Sequence, residues 1–158
     1  MFGDMGEVAA TELADQLLAA STSTIAELLR EGSYAGWLAI DASGQVIAGA
    51  GAHIRAQLPR ISYDGYHIAA GSVPLVVNVY THPDWRGQGI ARALMKKLLE
   101  WASARGCDRV VLHASDEGRP LYTSVGFEPT NEMRWTPTSD GHREYTKESS
   151  CRLAVTHP

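Results

Sequence analysis

The stretch from Pro74 to Gly106, PLVVNVYTHPDWRGQGIARALMKKLLEWASARG, decides how the chain folds. Its first part, Leu75 to Tyr80, is apolar and largely β-branched apart from Asn78, which is typical of a strand buried on both faces. Pro83 and Asp84 then break the strand and predict a turn. This part of the chain is therefore expected to form a buried strand that ends in a turn.

Beyond this turn, apolar residues recur every three or four positions, which is the period of an amphipathic helix. Charged residues occupy mainly the other faces of the segment. Gly106 follows as a C-cap, because glycine readily adopts the left-handed conformation that ends many helices. The residues predicted to face the core are Ile90, Leu94, Leu98 and Trp101.

The join between strand and helix, Arg86 to Ala91, has the features of an anion-binding turn. The first N–H groups of a helix have no partner within it, and the helix dipole adds positive charge there. Gly87 and Gly89 allow the backbone to approach a ligand closely, and Arg86 adds a cation. The segment predicts a phosphate or pyrophosphate site, although two glycines also suit a compact turn without a ligand. It matches neither the dinucleotide-binding nor the P-loop glycine pattern.

The sequence RGQGIA at residues 86–91 resembles the Arg/Gln-x-x-Gly-x-Gly/Ala signature of the GCN5-related N-acetyltransferases, the GNAT family. A second pattern of that family follows in the same order, in Val110 to Ser115 and Leu121 to Phe127. The resemblance extends from about Gly36 to Trp135. It implies an α/β (α+β) fold with a mixed, mostly antiparallel central sheet flanked by helices. It also implies acetyl-CoA as co-substrate, with its pyrophosphate held at the turn.

Length and composition restrict the class of protein. The chain has 158 residues, of which 44% are hydrophobic and 20% charged, as expected of one globular domain with a sizeable core. The net charge of −4 and the lack of a basic block argue against nucleic acid as a partner. No apolar run reaches the roughly 18 residues of a membrane span, and no signal peptide is evident. The expectation is a cytoplasmic protein in which Cys107 and Cys151 are reduced thiols.

The other elements are predicted from local patterns. Pro59 to Ser72 reads as a loop, and Glu117 to Val125 as a short helix with Pro120 in its first turn. Members of the family begin with a strand ahead of the helical region; none is evident, so the chain is expected to lack it. Helices are further predicted in Glu7 to Ala20 and around Ile25 to Leu29, and strands in Tyr34 to Ile40, Gln45 to Leu58 and Asp108 to His113.

One acetyltransferase-like domain is predicted for residues 1–137, followed by a flexible polar tail at residues 138–158. Within the domain, the resemblance implies that the strands Leu75 to Tyr80 and Arg109 to His113 run parallel and splay at one end. The arm of the cofactor would enter between them.

The resemblance also implies which residues bind the cofactor. The pyrophosphate would contact Arg86, Gly87, Gln88, Gly89, Ile90 and Ala91. The backbone of Val77, Val79 and Tyr80 would pair with the pantetheine amides in the manner of an added strand. Ser115 stands where many relatives have Asn, and a Ser hydroxyl still donates a hydrogen bond.

Acetyl transfer to an amine requires that the ammonium lose a proton and that the leaving thiolate be stabilised. Tyr122 matches the Leu-Tyr of the second motif and is the candidate acid, the alternative being a packed aromatic with a satisfied hydroxyl. The strand before the turn has no carboxylate, so His113, Glu132 or a water chain ending at Asn78 is the candidate base. For His113 and Glu132 the alternatives are a structural histidine and a solvated carboxylate. His53, His67 and His82 lack metal spacing, and no metal is predicted.

The leading hypothesis is an acetyl-CoA-dependent N-acetyltransferase that transfers the acetyl group directly to a primary amine of a small molecule or peptide. The acidic net charge favours a cationic acceptor. One alternative is a non-catalytic acyl-CoA-binding sensor, and another is an unrelated nucleotide-binding module, which the missing fingerprints disfavour. The acceptor and the oligomeric state, a homodimer included, are left open.

Overall fold

The computed structural model describes residues 4–62 and 65–133. Two compact units divide the chain, residues 1–128 and residues 129–158. Every helix and strand described below belongs to the first unit, and the described part of the second, residues 129–133, has no regular secondary structure. The domain boundary predicted after residue 137 and the predicted tail at residues 138–158 lie outside the described residues.

Helix α1, Asp4–Arg30, is one continuous helix, so the prediction of two separate helices was wrong. The Ser and Thr residues between the two predicted helices are accommodated within α1, and Thr22 Oγ1 donates to Leu18 O at 2.8 Å. Gly32, at φ +74°, follows the helix, and the N–H of Ser33 donates back to Leu28 O. No strand precedes α1 among the described residues.

Three long antiparallel strands follow: β1 Tyr34–Ile40, β2 Val46–Ile61 and β3 Ile68–Thr81. The predicted loop from Pro59 to Ser72 was therefore mostly wrong, because β2 extends to Ile61 and β3 begins at Ile68. Pro59, which has no N–H to donate, falls where the register between β2 and β3 shifts. Pairing is interrupted there, so the proline does not break the hairpin.

The fourth strand, β4 Val111–Leu112, pairs in parallel with β3 through Leu75 and Val76, as the resemblance implied. The sheet order is β1-β2-β3-β4, which makes it mixed and mostly antiparallel. Pairing between β3 and β4 stops after Val76, whereas β3 continues to Thr81. The two parallel strands therefore separate at their carboxyl ends, and within the described residues no strand pairs with that edge of β3 beyond Val76.

The connection from β3 to β4 contains a turn of 3₁₀-helix, Pro83–Trp85, and helix α2, Ile90–Ala104. Helix α2 packs Met95 and Leu98, both 0% exposed, against Ala52 and Val76 of the sheet. The predicted core face is confirmed, with Leu94 buried and Ile90 and Trp101 packed around it; Met95 and Ala102 also belong to it. Gly106 follows α2 at φ +70°, and helix α3, Arg119–Ser124, has Pro120 in its first turn, both as predicted.

Truncation of Leu98 to alanine is expected to lower the free energy of unfolding by about 2–5 kcal/mol, because the side chain is fully buried between α2 and the sheet. Chemical denaturation with urea measures this directly. Leu17→Ala is the matched control, since Leu17 is 67% exposed on α1. Equal losses in the two variants would contradict the assignment of the core to α2.

No helix in the described part of the chain is long and apolar enough to cross a membrane.

Candidate active site

A cleft of about 590 Å³ opens where β3 and β4 separate. Three segments form its walls: the end of β3, the turn with the start of α2, and the segment leading into α3. The lining residues are Val79, Tyr80, Thr81, Trp85, Arg86, Gly87, Gly89, Ile90, Ala91, Arg92, Ser115, Glu117, Gly118, Leu121 and Tyr122.

The turn before α2 presents free backbone donors to this cleft. Gly87 and Gly89 have φ values of +75° and +80°, a conformation that glycine adopts without strain. A Cβ built on Gly89 would meet no atom within 4 Å, so the space beside the turn is open. The N–H of Ala93 donates to Gly89 O at 3.0 Å, which leaves the N–H groups of the preceding helical residues without a partner in the helix. These donors and the positive end of the helix dipole suit an anion.

Two arginines add positive charge to the same wall. Arg86 Nε donates to Thr81 O at 3.1 Å, which anchors the guanidinium across the turn and leaves its terminal nitrogens for a ligand. Arg92 lines the cleft one residue beyond Ala91. Gln88, predicted as a contact, does not line the cleft; its Nε2 donates to Asp84 O at 3.4 Å.

The end of β3 is irregular beside the cleft. Gly49 pairs with Tyr80 and Gly51 with Val77, so a single residue of β2 faces two residues of β3. This is a β-bulge, a feature that often re-aims side chains beside active sites. Beyond the bulge, Val79 and Tyr80 line the cleft, whereas Val77 does not.

On the opposite wall, Tyr122 of α3 faces the cleft, and burial raises the pKa of its phenol above 10.0. Its ring packs edge-on against Phe127, with centroids 6.1 Å apart. Ser115 Oγ accepts the N–H of Gly118 at 3.1 Å, so this hydroxyl shapes the entry to α3 while it lines the cleft. A Cβ on Gly118 would lie 2.9 Å from Tyr122 Cε2, which explains the glycine there.

Neither candidate base is among the residues that line the cleft. His113 is exposed just after β4 and does not line the cleft. Glu132 is exposed and belongs to the second unit. Their roles stay predictions. No three His, Cys, Asp or Glu side chains within residues 4–62 and 65–133 are grouped to hold a metal ion, and the expected absence of a metal stays a prediction as well.

Several cleft residues were not predicted as contacts from the sequence. Trp85 and Thr81 flank the predicted turn, and only the way the chain folds back brings them beside the cleft. Glu117 supplies the single carboxylate among the described residues that line the cleft. The second family motif could have identified Glu117 as a cleft residue, because Glu117 lies in the sequence between Ser115 and Tyr122.

Known acetyltransferases resemble this chain in sequence and in fold. The family model described as "Acetyltransferase (GNAT) family" matches residues 7–127. A glucosamine 6-phosphate N-acetyltransferase of Trypanosoma brucei brucei is 35% identical over 52 residues, 33% of this chain and 35% of that protein. A mycothiol acetyltransferase of Thermobifida fusca (strain YX) is 37% identical over 73 residues, 44% of this chain and 23% of that protein. The matched region thus spans about a third of the length of the first relative and about a quarter of the length of the second.

Two solved structures share the fold over most of their length. A protein of Clostridium acetobutylicum described as a predicted acetyltransferase with acetyl-CoA is 29% identical, with a TM-score of 0.66 over 77% of this chain and 75% of that one. A GCN5-related N-acetyltransferase of Ralstonia eutropha JMP134 is 32% identical, with a TM-score of 0.62 over 70% of this chain and 69% of that one. The chain belongs to the GNAT family of acetyltransferases.

Proposed function

We propose that this protein is an acetyl-CoA-dependent N-acetyltransferase that moves the acetyl group directly to a primary amine of a small molecule or peptide. The observation that carries the proposal is the set of free N–H groups at the Gly87–Gly89 turn, which faces a cleft between two separating parallel strands. Such a turn suits a pyrophosphate, and the open edge of β3 suits an extended amide chain. The co-substrate acetyl-CoA contains both groups.

The turn is the proposed pyrophosphate site. The backbone N–H groups of Gly87, Gln88, Gly89, Ile90 and Ala91 would donate to the phosphate oxygens. Gln88 would take part through its backbone alone, because its side chain donates to Asp84 O. Arg86, anchored at Thr81 O, would add a charge-assisted contact.

The open edge of β3 is the proposed pantetheine site. Beyond Val76 this edge has no pairing with β4, so N–H and C=O groups between Val77 and Tyr80 are available for amide hydrogen bonds. Val77, Val79 and Tyr80 are the proposed contacts. Ser115, across the cleft, retains a hydroxyl proton that it can donate while it accepts from Gly118.

In the proposed reaction, the nitrogen lone pair of the neutral amine attacks the thioester carbonyl carbon. The new C–N bond forms, the C–S bond breaks, and the thiolate of CoA takes a proton. Tyr122 is the proposed donor of that proton, because its phenol lines the cleft and burial keeps it protonated by raising its pKa. The proton that the ammonium loses passes to a base, for which His113 and Glu132 are the proposals.

One observation favours a second candidate, a non-catalytic acyl-CoA sensor. Among the described residues that line the cleft there is no histidine, and Glu117 is the single carboxylate. A sensor would bind acetyl-CoA and need no base. A cytoplasmic location and a homodimer stay predictions for either function.

Release of free CoA thiol from acetyl-CoA in the presence of single amines separates the two functions. The panel contains glucosamine 6-phosphate, neamine, spermidine, phenethylamine and a lysine-containing peptide, and acetylated products are identified by mass spectrometry. We expect amine-dependent thiol release with at least one of them. Tight binding of acetyl-CoA without release for any amine would support the sensor and contradict the transferase.

A further inference from the structure

Three unusual features meet on one face of the sheet, beside the cleft. Asn78 is the one non-glycine residue with a positive φ in the described part of the chain, at +55°. It lies in the β3 bulge, directly before the cleft residues Val79 and Tyr80. Asparagine tolerates this left-handed conformation better than most residues, and backbone outliers of this kind cluster at functional sites.

The second feature is the contact between Gly51 and Tyr34. A Cβ built on Gly51 would lie 1.8 Å from Tyr34 Oη and 2.5 Å from its Cζ, so no other residue fits at this position while Tyr34 keeps its place. The phenol of Tyr34 therefore reaches from β1 across the backbone of β2 towards β3. There Asn78 Nδ2 donates to Tyr34 Oη at 3.5 Å.

The third feature is the position of this pair relative to the core. Val79 packs on the α2 side of the sheet, against the clusters that contain Leu94 and Leu98. Tyr34 pairs with His53 of β2, and alternation along β2 places this pair on the face of the sheet opposite α2. Asn78, which contacts Tyr34, is exposed. A ligand bound by Tyr34 and Asn78 thus approaches the end of β3 from the face of the sheet opposite α2.

From these contacts we propose that Tyr34 and Asn78 form the site that receives the acceptor amine, and that Gly51 positions the Tyr34 hydroxyl. The proposal rests on the transferase function above. The 3.5 Å between Asn78 Nδ2 and Tyr34 Oη exceeds the roughly 3.0 Å of a firm hydrogen bond, so this contact is weak and an amine can displace it. Asn78 Oδ1 and Tyr34 Oη then accept its N–H bonds.

The chemistry of the pair specifies the form of the amine. Both acceptors are uncharged, whereas a carboxylate at this position would favour the ammonium and raise the pKa of the amine. Uncharged acceptors therefore favour the ammonium less strongly than a carboxylate would, so an amine bound here loses its proton more readily. The neighbouring exposed side chains of this face, Leu38 at 64% and Tyr80 at 55%, are apolar or aromatic. The site fits an amine carried on an apolar or planar group better than one carried on a phosphorylated sugar.

The first test follows the side-chain amide of Asn78 in proton–nitrogen correlation spectra of the CoA-bound protein, titrated with the five amines of the panel. Asn78→Gly, which tolerates the positive φ, assigns the resonance by its loss. We expect phenethylamine to move this resonance more than glucosamine 6-phosphate does, with the exposed amide of Gln45 unmoved. If no amine moves it in the CoA-bound protein, the proposed amine site is wrong, while the proposed cofactor site stands.

The second test is kinetic. Tyr34→Phe and Asn78→Gly are each expected to raise the KM for the amine roughly fivefold to tenfold, as loss of one hydrogen bond implies, and to leave the KM for acetyl-CoA unchanged. Ile61→Ala, an exposed change at the far end of β2, is the control for surface effects, and thermal unfolding of each variant reports its stability. A KM for the amine that stays at the wild-type value in both variants overturns the proposal. Failure of the wild type to bind CoA, seen before any amine is added, overturns the proposed function and this site with it.

Discussion

Gly89→Val is expected to raise the Kd for acetyl-CoA at least about 100-fold, a loss of roughly 2.8 kcal/mol of binding free energy. Gly89 has φ +80°, which a β-branched residue adopts only with strain. A Cβ at this position would meet no protein atom within 4 Å, so the added methyl groups would enter the open space of the cleft. There they would obstruct the approach of the pyrophosphate to the N–H groups of the turn. Titration calorimetry measures the change.

Gly44→Val provides the matched control for backbone strain. Gly44 has φ +86° in the turn between β1 and β2, and a Cβ there also meets nothing within 4 Å. Both variants are therefore expected to lose stability, but only Gly89→Val should lose acetyl-CoA. An unchanged Kd in Gly89→Val would place the pyrophosphate away from this turn.

Tyr122→Phe is expected to lower kcat about 100-fold or more and to leave the Kd for acetyl-CoA unchanged. The substitution removes only the hydroxyl and keeps the ring, which packs against Phe127. The loss falls on kcat because the proton is needed as the C–S bond breaks and not for binding of the thioester. Steady-state kinetics with the best amine of the panel, together with calorimetry, separates the two parameters.

Tyr80→Phe is the control, because Tyr80 also lines the cleft and has no assigned part in proton transfer. Burial raises the pKa of Tyr122 above 10.0, so its phenol stays protonated at neutral and mildly alkaline pH. The part of the rate that depends on Tyr122 should therefore be lost only as the pH rises beyond the ordinary range of tyrosine. Wild-type kcat in Tyr122→Phe would show that another group protonates the thiolate.

Local signals were sufficient for the centre of the fold. The period of α2 identified Leu94 and Leu98, since a helix that packs on a sheet needs one apolar stripe. The turn could be read from Gly87 and Gly89, because two residues at positive φ favour glycine. Tyr122 and Ser115 were recognised only through the second motif, and the cleft brings them opposite that turn.

Long-range pairing accounts for what the sequence did not predict. The hairpin between β2 and β3 continues past Pro59 because a shift of register lets the strands resume pairing at Arg60 and Ala69. No local pattern contains that information. Tyr34 and Asn78 are 44 residues apart, and only the sheet brings them together over Gly51. A glycine within a strand signals a close approach but does not identify the group that approaches.

Titration calorimetry of the purified protein with acetyl-CoA, and with ATP and NAD as controls, tests the central claim most directly. We expect acetyl-CoA to bind with a Kd on the order of 1 μM, worth roughly −8 kcal/mol, and ATP and NAD to bind far more weakly. Equal affinities for acetyl-CoA, ATP and NAD would indicate that the turn binds phosphate groups without selecting acetyl-CoA. The absence of any acetyl-CoA binding by a folded sample would contradict the account.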